Sequence, residues 1–510
     1  MQEPISSLVI VGGGTAGWMA AAFFAKRFAD TPLKITLVES PETGTIGVGE
    51  ATVPAMKLFL NDLGINEREF ILATKATFKL GIDFDGWHKP GAAFFHPFAP
   101  FGVSIAKVPF HHYWAYARHS GKAGPIDDYS LAAQLARQHK FALSKDDASE
   151  LARFNYAYHF DAGLFAQYLQ GFATARGVSH VPATISHCRQ CPTSGMITAL
   201  VLDDGTAVEG DFFIDCSGFR GLLIEEALHT GYEHWNQWLP CDRALALPCD
   251  HQGQLPPYTR ALAASAGWQW RIPLQHRHGN GYVYSSQHLS DEQALVELEQ
   301  NLQGKPLAAP RVIRFNTGMR RKTWNKNVFA IGLASGFLEP LESTSIYMIQ
   351  TALNCLFNHF PHRGDCSALS DYANATLSDV TEKLRDFIIL HYHLNQREGD
   401  AFWDDCRHNS IPSTLAERLQ EFRETANLRF RDADFFQMTS WLSMFSGFQQ
   451  LPHYQHPKVM MFNRDLVVEE LAQMRNAIGR ISGEVTSHQQ FLMRSGLMQE
   501  QPSGIYLDNP

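Results

Sequence analysis

The hydrophobic and polar positions near the start of the chain predict a strand, a glycine turn and a helix. The stretch SSLVIVGGGTAGWMAAAFFAKRF places an apolar run ahead of Gly12, then the glycines, then a longer apolar segment. A second apolar run, LKITLVES, predicts another strand that ends in Glu39. Two further runs continue this pattern: residues 210–218 predict a strand that ends in a turn, and residues 327–353 predict a strand, a loop and a helix.

The glycines of the first unit have the spacing that binds a dinucleotide. Gly12, Gly14 and Gly17 satisfy G-x-G-x-x-G, and Glu39 ends the next strand. Such glycines serve the tight turn, the close approach of backbone to pyrophosphate and the packing of helix on strand, while the acid holds ribose hydroxyls. The pyrophosphate is expected at the N-terminus of the helix. The sequence has no second motif of this kind after a strand, which predicts one bound dinucleotide and no separate nicotinamide site.

The end of the chain has a different pattern. From about residue 370 onward, periodic stretches such as LAERLQEFRETANLRF and DLVVEELAQMRNAIGRI predict helices. We therefore place a soft boundary there, with residues 1–370 as the core, including an inserted sheet, and 371–510 as a mainly helical region packed on it as one unit.

Composition and charge limit the classes of function. The 510 residues are 45% hydrophobic and 19% charged, which is typical of a globular protein. The net charge of −9 argues against a nucleic-acid partner, which would require a basic face. Aromatic residues make up 12% of the chain, which fits either a planar ligand or a large core.

The cysteines and the N-terminus indicate a cytoplasmic protein. Eight cysteines are scattered without a dense framework, which fits a reducing compartment. The pair Cys188 and Cys191 has no second pair at zinc spacing, so we interpret it as structural and expect no metal. No apolar run reaches membrane-spanning length, and the first apolar run leads directly into the glycine loop, as expected of a strand and not of a signal peptide.

Two tryptophans lie one residue apart in the stretch GWQWRIPLQ, residues 267–275. Alternation on a strand places the indoles of Trp268 and Trp270 on the same face, and Pro273 predicts an edge strand or a strand end. Core filling explains such a pair without any functional role, because aromatic residues are common on half-buried strands.

Four segments give the chain a resemblance to flavin-dependent halogenases, and specifically to the tryptophan and indole halogenases. These segments are GGGTAGW at 12–18, GVGEATVP at 47–54, WQWRIP at 268–273 and FLEPLEST at 337–344. The resemblance implies an α/β fold: an FAD-binding Rossmann-like domain related to flavin monooxygenases, an added β-sheet and a largely helical substrate-binding region. It also implies reduced FAD, oxygen and halide as reactants, a C4a-hydroperoxide on the flavin, and hypohalous acid that crosses a tunnel to the organic substrate.

The same resemblance assigns expected cofactor contacts and a role for the tryptophans. Trp268, Trp270 and Pro273 would separate the flavin compartment from the organic substrate, which a monooxygenase would admit and hydroxylate. Core filling stays the alternative for this pair. The residues expected to bind FAD are Gly12, Gly14, Thr15, Ala16, Gly17, Glu39, Gly49, Ala51, Leu333 and Ser343.

Lys79, in ATFKLGIDFDGW, matches the essential lysine of the family. Phe78, Leu80, Ile82 and Phe84 alternate, so Lys79 is expected on the opposite face, where an ordinary lysine would be a solvated charge. An ammonium could hydrogen-bond and polarise hypohalous acid, whereas a neutral amine, favoured by burial, could form a haloamine. The sequence leaves both alternatives open.

Glu342, in EPLEST, matches the essential glutamate of the family. It would stabilise the cationic ring intermediate or accept the ring proton. Glu339 is the alternative carboxylate, and an acid that stabilises a helix N-terminus is the structural alternative. The family places halide at the backbone N–H groups of the next threonine and glycine, here Thr344 and Ser345, and the serine side chain is expected to favour bromide.

His96 and Phe98 match the aromatic pair that stacks on the substrate indole. The segment at 440–457 aligns only loosely with the region that holds an amino acid's ammonium and carboxylate, and it offers Trp441 and Phe445 instead. We therefore expect indole or an indole derivative as the substrate, in preference to free tryptophan.

The expected partners are a separate flavin reductase and a small aromatic substrate, with neither nucleic acid nor membrane. The sequence leaves open whether the chain forms a homodimer. Two other functions remain open at this point. A flavin monooxygenase or dehydrogenase would keep the dinucleotide unit without using Lys79, and a non-catalytic flavin-binding relic would keep only the glycines.

Overall fold

The computed structural model describes residues 3–41, 49–144, 149–251 and 253–498. Part of the GVGEATVP segment, residues 47 and 48, lies outside the described residues. The helices are Thr15–Arg27, Ala55–Leu63, Glu67–Thr74, Phe110–His119, Leu131–Arg137, Ala162–Thr174, Asp291–Gln300, Ser345–Asn358, Ser367–His393, Ala401–His408, Ser413–Thr425, Met438–Gly447, Pro457–Met460, Arg464–Glu484 and His488–Arg494.

A mostly parallel sheet surrounds the glycine unit. Its six described strands are, in spatial order, Trp324–Asn325, Val328–Ala330, Phe212–Asp215, Ser7–Val11, Lys34–Glu39 and Ser179–Pro182. Among these strands, only the edge strand Trp324–Asn325 pairs antiparallel with its neighbour. The predicted first strand, helix and second strand are confirmed, and the runs at 210–218 and 327–353 supply adjacent strands of the same sheet. The α/β class with a Rossmann-like domain is therefore confirmed.

The tryptophan pair lies in the middle strand of a second, mainly antiparallel sheet. Among the described residues its strands are, in spatial order, Arg311–Arg314, Arg243–Ala246, His278–Tyr284, Gly267–Pro273, Thr259–Ala264, Gly81–Asp85 and Ala93–Pro97. Pro273 is the last residue of its strand, which confirms the strand end predicted from this proline; the strand is not at an edge. The two indoles lie on the same face, with ring centroids 6.2 Å apart.

Lys79 belongs to neither of these sheets. A small antiparallel sheet pairs Thr77–Lys79 with Ala157–Asp161, which in turn pairs with Gly49–Ala51. The alternating stretch at 78–84 is therefore two strands that meet at Leu80, not one strand with an exposed face. This small sheet brings the lysine beside the segment that carries Gly49.

Two further small antiparallel sheets complete the strands of the described chain. The first contains Ile185–Gln190, Ile197–Leu202 and Ala207–Glu209, and the second contains Tyr232–His234, Gly318–Arg320 and Gly336–Phe337.

The secondary structure described after residue 370 is helical, as the periodicity predicts. Its apolar side chains share one core with the second sheet: Phe387 and Trp441 are buried in the same cluster as Phe84 and Trp268. The predicted boundary therefore falls inside the long helix Ser367–His393, and no separate core marks it in the described residues. No helix in the described part of the chain is long and apolar enough to span a membrane.

Candidate active site

The glycine loop fits a dinucleotide closely. Gly12 has a φ of +107°, and a Cβ there would overlap the carbonyl of Cys216. A Cβ on Gly17 would overlap the carbonyl of Gly12, so only glycine lets the helix Thr15–Arg27 approach the strand this closely. Gly14, by contrast, has no atom within 4 Å of its would-be Cβ, which leaves its outer side open at the helix N-terminus. Such an end attracts a phosphate through free N–H groups and the helix dipole.

Glu39 lies against this loop. A Cβ on Gly13 would overlap its carboxylate, and the indole Nε1 of Trp18 donates to Glu39 Oε2 at 3.2 Å. His180 Nε2 is 3.9 Å from the same oxygen. The acid at the end of the second strand is thus held beside the glycines, where the ribose of a bound dinucleotide would need it.

One further pair of residues among the predicted flavin contacts lies at this loop. Ala16, in the first turn of the helix, faces Gly332, whose would-be Cβ lies 2.9 Å from the Cβ of Ala16; half-buried Leu333 follows Gly332. Gly49 and Ala51 come from the small sheet that carries Lys79. These residues fit FAD, and the chain's own atoms do not fill the space beside Gly14.

The amine of Lys79 is fully buried, not solvated. Its Nζ donates to the carbonyl of Thr52 at 3.0 Å and to Ser343 Oγ at 2.7 Å, and it lies 5.2 Å from the centre of the Phe98 ring. Burial lowers the pKa of Lys79 to about 7, while the charge of Glu342 opposes this shift. Lys75, four residues earlier in the chain, is exposed and caps the C-terminal end of the helix Glu67–Thr74.

Two histidines hold Glu342. His96 Nδ1 lies 2.9 Å from Oε2, and His391 Nε2 lies 2.8 Å from Oε1. Burial alone would raise the pKa of Glu342, but the positive charge of His96 and hydrogen bonds from both imidazoles lower it to about 2. The carboxylate is therefore ionised at neutral pH although it is 1% exposed.

The residues after Glu342 form the start of a helix. Ser343 has a φ of +59°, Thr344 is the N-cap, and Ser345 is the first residue of Ser345–Asn358. The first N–H groups of a helix lack partners within it and favour an anion. This is the position that the family resemblance assigns to halide. Thr344 is buried and Ser345 is half-buried.

A cavity of about 750 Å³ adjoins these groups. His96, Phe98 and Glu342 line it, as do Phe435 and Phe436. The amine of Lys79 lies next to this cavity, against the Phe98 ring, and is not itself part of the lining.

Two predicted substrate residues lie behind the cavity. Trp441 and Phe445 are buried and do not line it within the described chain. Trp441 packs against Phe387, with centroids 5.2 Å apart, and Phe445 stacks on Phe422 at 3.9 Å. The helix Met438–Gly447 instead presents Thr439 and Ser440 to the cavity.

The tryptophan strand connects the two halves of the site. The indole Nε1 of Trp268 donates to Glu339 Oε2 at 2.9 Å, and Glu339 lies three residues before Glu342. At the other end of the strand, Ile272 contacts the position of Gly49, whose would-be Cβ lies 3.2 Å from Ile272 Cγ2. Trp268 is 1% and Trp270 is 9% exposed.

Sequence reasoning missed several residues of the site. His391 is not among the residues predicted from the sequence, although its imidazole reaches Glu342. Phe435 and Phe436, on the cavity wall, precede the segment 440–457 that the sequence indicated. Ser343, predicted as a flavin contact, has its hydroxyl on Lys79. Among the described residues, no cluster of three or more His, Cys, Asp or Glu side chains could hold a metal ion.

A dinucleotide fold joined to a buried lysine and an ionised glutamate beside an aromatic cavity defines a flavin-dependent enzyme that acts on an aromatic ring. The family model for tryptophan halogenase matches residues 7–464, and the chain belongs to this family. It is a flavin-dependent halogenase, an oxidoreductase that uses FADH2 and O2 to halogenate an aromatic substrate.

Solved structures and curated relatives agree with this assignment. BrvH, a flavin-dependent halogenase from Brevundimonas sp. BAL3, superposes with a TM-score of 0.93 at 46% identity, covering 97% of this chain and 99% of that chain. Xcc4156, a flavin-dependent halogenase from Xanthomonas campestris, superposes with a TM-score of 0.93 at 41% identity over 98% and 100%. Tryptophan 6-halogenase SttH from Streptomyces toxytricini is 34% identical over 485 residues, 89% of this chain and 88% of that protein.

Proposed function

We propose that the chain halogenates indole or an indole derivative in preference to free tryptophan, using bromide in preference to chloride and FADH2 from a separate reductase in the cytoplasm. The observation that carries the substrate half is the lining of the cavity. It offers the aromatic side chains of His96, Phe98, Phe435 and Phe436, and its only carboxylate among the described residues, Glu342, is already held by imidazoles. A substrate ammonium would have no carboxylate partner there, and burying an unpaired ion costs several kcal/mol.

The chain's own residues would divide the work as follows. The glycine unit and Glu39 hold FAD, whose reduced form supplies, with O2, the oxidation of halide to hypohalous acid. The backbone N–H groups of Thr344 and Ser345 hold the halide at the helix N-terminus. Trp268 and Trp270 lie on a strand that contacts Glu339 at one end and Gly49 at the other, which supports their proposed role as a partition.

Lys79 would orient hypohalous acid, as an ammonium that hydrogen-bonds it or as an amine that forms a haloamine. Both forms are accessible near neutral pH, because burial lowers the pKa of this lysine to about 7. The ring carbon then bonds to the halogen, the oxygen–halogen or nitrogen–halogen bond breaks, and the ring becomes a cation. Glu342 stabilises this cation and accepts its proton. A cationic ring proton is so acidic that a carboxylate with a pKa of about 2 suffices as its base.

Competition tests both parts of the proposal. With enzyme, flavin reductase, NADH and FAD, equal indole and tryptophan should give mainly haloindole by mass spectrometry, and equal chloride and bromide should give mainly the bromo product. Ser345→Gly, which restores the usual residue of the family, should shift the halide ratio towards chloride. Predominant chlorotryptophan would contradict both parts, and hydroxylated product without halogen would favour a monooxygenase.

A further inference from the structure

Aromatic rings in mutual contact lead away from the two tryptophans of the second sheet. The ring centroids of Trp270 and Trp268 are 6.2 Å apart, and those of Trp268 and Trp87 are 6.4 Å apart. The ring of Trp87 in turn lies 5.4 Å from that of Tyr392 and 5.3 Å from that of Trp403. These distances are those of contacting aromatic pairs. The five rings therefore form a continuous series from the tryptophan strand to the helices that cover it.

Core filling alone does not account for a carboxylate that lies beside this series. Glu339 Oε2 accepts two hydrogen bonds, one from the indole Nε1 of Trp268 and one from the hydroxyl of Tyr392. The carboxylate is fully buried, and its Oε1 has no hydrogen-bond partner among the described residues. Burying a carboxyl group in this way is costly, so its presence calls for a reason other than packing.

The position of Glu339 suits a proton acceptor for an oxidised tyrosine. Indoles and phenols are among the protein groups that give up a single electron most readily. A phenol becomes very acidic when it is oxidised, so it needs a proton acceptor as the electron leaves. The Tyr392 hydroxyl already donates to Glu339 Oε2. The ionised carboxylate is accessible near neutral pH, because burial raises the pKa of Glu339 to about 7.

Trp403, the other ring beyond Trp87, lies in surroundings that oppose its oxidation. The guanidinium carbon of Arg397 lies 5.1 Å from the centre of the Trp403 ring, and this cation disfavours a positive charge on the indole. The indole Nε1 of Trp403 donates to the carbonyl of Ala264, which is a far weaker base than a carboxylate. Of the two rings beyond Trp87, Tyr392 is therefore the one at which a missing electron would come to rest.

We propose that Trp270, Trp268 and Tyr392 form an electron-transfer path that carries single oxidising equivalents away from the flavin side of the tryptophan strand. The strand contacts Gly49 on that side, beside which FAD is expected. A one-electron oxidant formed there, an oxygen-derived radical from the reaction of reduced flavin with O2, takes one electron from an indole and is reduced.

The second step restores the indole and leaves the oxidation on the tyrosine. One electron passes from Tyr392 to the oxidised indole, the O–H bond of Tyr392 breaks, and its proton passes to Glu339 Oε2. The products are an intact tryptophan, a neutral tyrosyl radical and a protonated glutamate. The path thus protects Trp268 and Trp270 from oxidative damage. This role does not depend on which substrate the enzyme halogenates.

Electron paramagnetic resonance of the FAD-loaded enzyme tests the path. Light-excited oxidised FAD serves as the one-electron oxidant, with ferricyanide as the final electron acceptor. After illumination and rapid freezing, the wild type should show a tyrosyl radical, identified by the narrowing of its signal in protein grown with ring-deuterated tyrosine. Tyr392→Phe should lose this signal and show a tryptophanyl radical instead. Glu339→Gln can still accept both hydrogen bonds but not the proton, so its tyrosyl signal should be several-fold weaker.

Tyr282→Phe is the matched control for the tyrosine. Tyr282 is buried, and its hydroxyl also donates to a carboxylate, Glu297 Oε2, at 3.0 Å, but the ring that it contacts among the described residues is that of Tyr284. Its substitution should leave the radical signal unchanged. A wild type without a tyrosyl signal, or a tyrosyl signal that persists in Tyr392→Phe, would overturn the inference.

Damage to the tryptophans gives a second readout of the path. The enzyme, flavin reductase, NADH and FAD are left to consume O2 with catalase present and without halide or aromatic substrate, so that no hypohalous acid forms. Peptide mass spectrometry then measures oxidised tryptophan per O2 consumed. Tyr392→Phe should accumulate oxidised Trp268 and Trp270 several-fold faster than the wild type, and Tyr282→Phe should match the wild type. Equal oxidation in the wild type and Tyr392→Phe would contradict the protective role.

Discussion

Glu339 and Glu342 lie three residues apart, and each is at most 1% exposed, but their surroundings differ. Glu342 faces the cavity and receives the imidazoles of His96 and His391. Glu339 faces the core, where it accepts from the indole of Trp268, and its Oε1 has no hydrogen-bond partner among the described residues. The same side chain in the same short turn thus meets two imidazoles at position 342, and an indole and a phenol at position 339.

This difference reverses the direction of the pKa shift. Burial raises the pKa of both carboxylates, but only at Glu342 do positive charge and hydrogen bonds outweigh it, and there the pKa falls to about 2. At Glu339 burial prevails over the hydrogen bonds from Tyr392 and Trp268, and the pKa rises to about 7. Glu342 is therefore a fixed negative charge at the cavity, while Glu339 joins the loop to the tryptophan strand. Hydrogen-bond partners, and not burial, distinguish the two carboxylates.

The largest effect on the rate of halogenation is expected at Lys79, which belongs to the Glu342 side of this comparison. Lys79→Ala removes the buried amine that bonds Ser343, and it should lower halogenation by about 10³-fold or more, a typical magnitude for loss of a group that moves a proton or orients the oxidant. Oxidation of FADH2 by O2 should continue, since the lysine acts after that step. Product is measured by mass spectrometry with free hypohalite scavenged, and flavin oxidation by absorbance.

Lys75→Ala is the matched control for this experiment. Lys75 lies four residues earlier and is exposed, so its loss should leave the rate within about twofold of the wild type, as expected for a surface substitution. Halogenation by Lys79→Ala at the wild-type rate would contradict the assignment of Lys79.

Substitution of each glutamate by glutamine tests the comparison directly. Glu342→Gln keeps the shape but removes the charge and the base, and we expect kcat to fall about 10²-fold, within the usual range for general base catalysis. Glu339→Gln keeps an oxygen for Trp268 and Tyr392, so kcat should fall by less than about tenfold. Single-turnover rates with indole measure both. If Glu339→Gln proves the more damaging variant, the roles of the two carboxylates are reversed.

Local patterns predicted the dinucleotide unit well. Gly12, Gly14, Gly17 and the strand that ends in Glu39 lie within one short segment, and their chemistry follows from turn geometry and close packing. The positions of the strands and of the later helices also followed from apolar periodicity. The burial of Lys79, by contrast, did not follow from the sequence pattern. Alternation suggested one strand with a solvated face, whereas the chain divides at Leu80 and a different sheet covers the amine.

The cavity could not be predicted because distant segments build it. His391 reaches Glu342 from a helix 49 positions further along the chain, and sequence spacing carries no information about that contact. Trp441 and Phe445 were selected for aromatic character alone, yet the helix Met438–Gly447 turns them towards the core and presents Thr439 to the cavity. Which face of a helix meets a ligand depends on tertiary packing, which a periodic apolar pattern does not specify.

The smallest effect concerns stability, and it separates the two carboxylates by pH. The pKa of Glu339 is raised from its ordinary value of 4.5 to about 7 by burial, so the folded protein holds this proton more tightly than the unfolded chain. The stabilisation is therefore complete below about pH 4.5 and is lost as pH rises through about 7. Glutamine cannot ionise, so the melting temperature of Glu339→Gln should approach or exceed that of the wild type as pH rises from 5 to 8. Over this range the free energy of unfolding of the variant should rise by about 1 to 3 kcal/mol relative to the wild type.

Lys79 also makes stability depend on pH, but its contribution cancels when the stability of the variant is compared with that of the wild type at each pH. The pKa of that amine is lowered by burial, so its contribution has the opposite sign, with stability lost as pH falls towards about 7, and it is common to both proteins. Glu342→Gln is the internal comparison: its pKa of about 2 means that the pH-dependent part of its effect lies below about pH 4.5, outside this range. A difference between Glu339→Gln and wild type that stays constant from pH 5 to pH 8 would show that Glu339 does not titrate there. The hydrogen bonds of Trp268 and Tyr392 would then offset the cost of burying its ionised form.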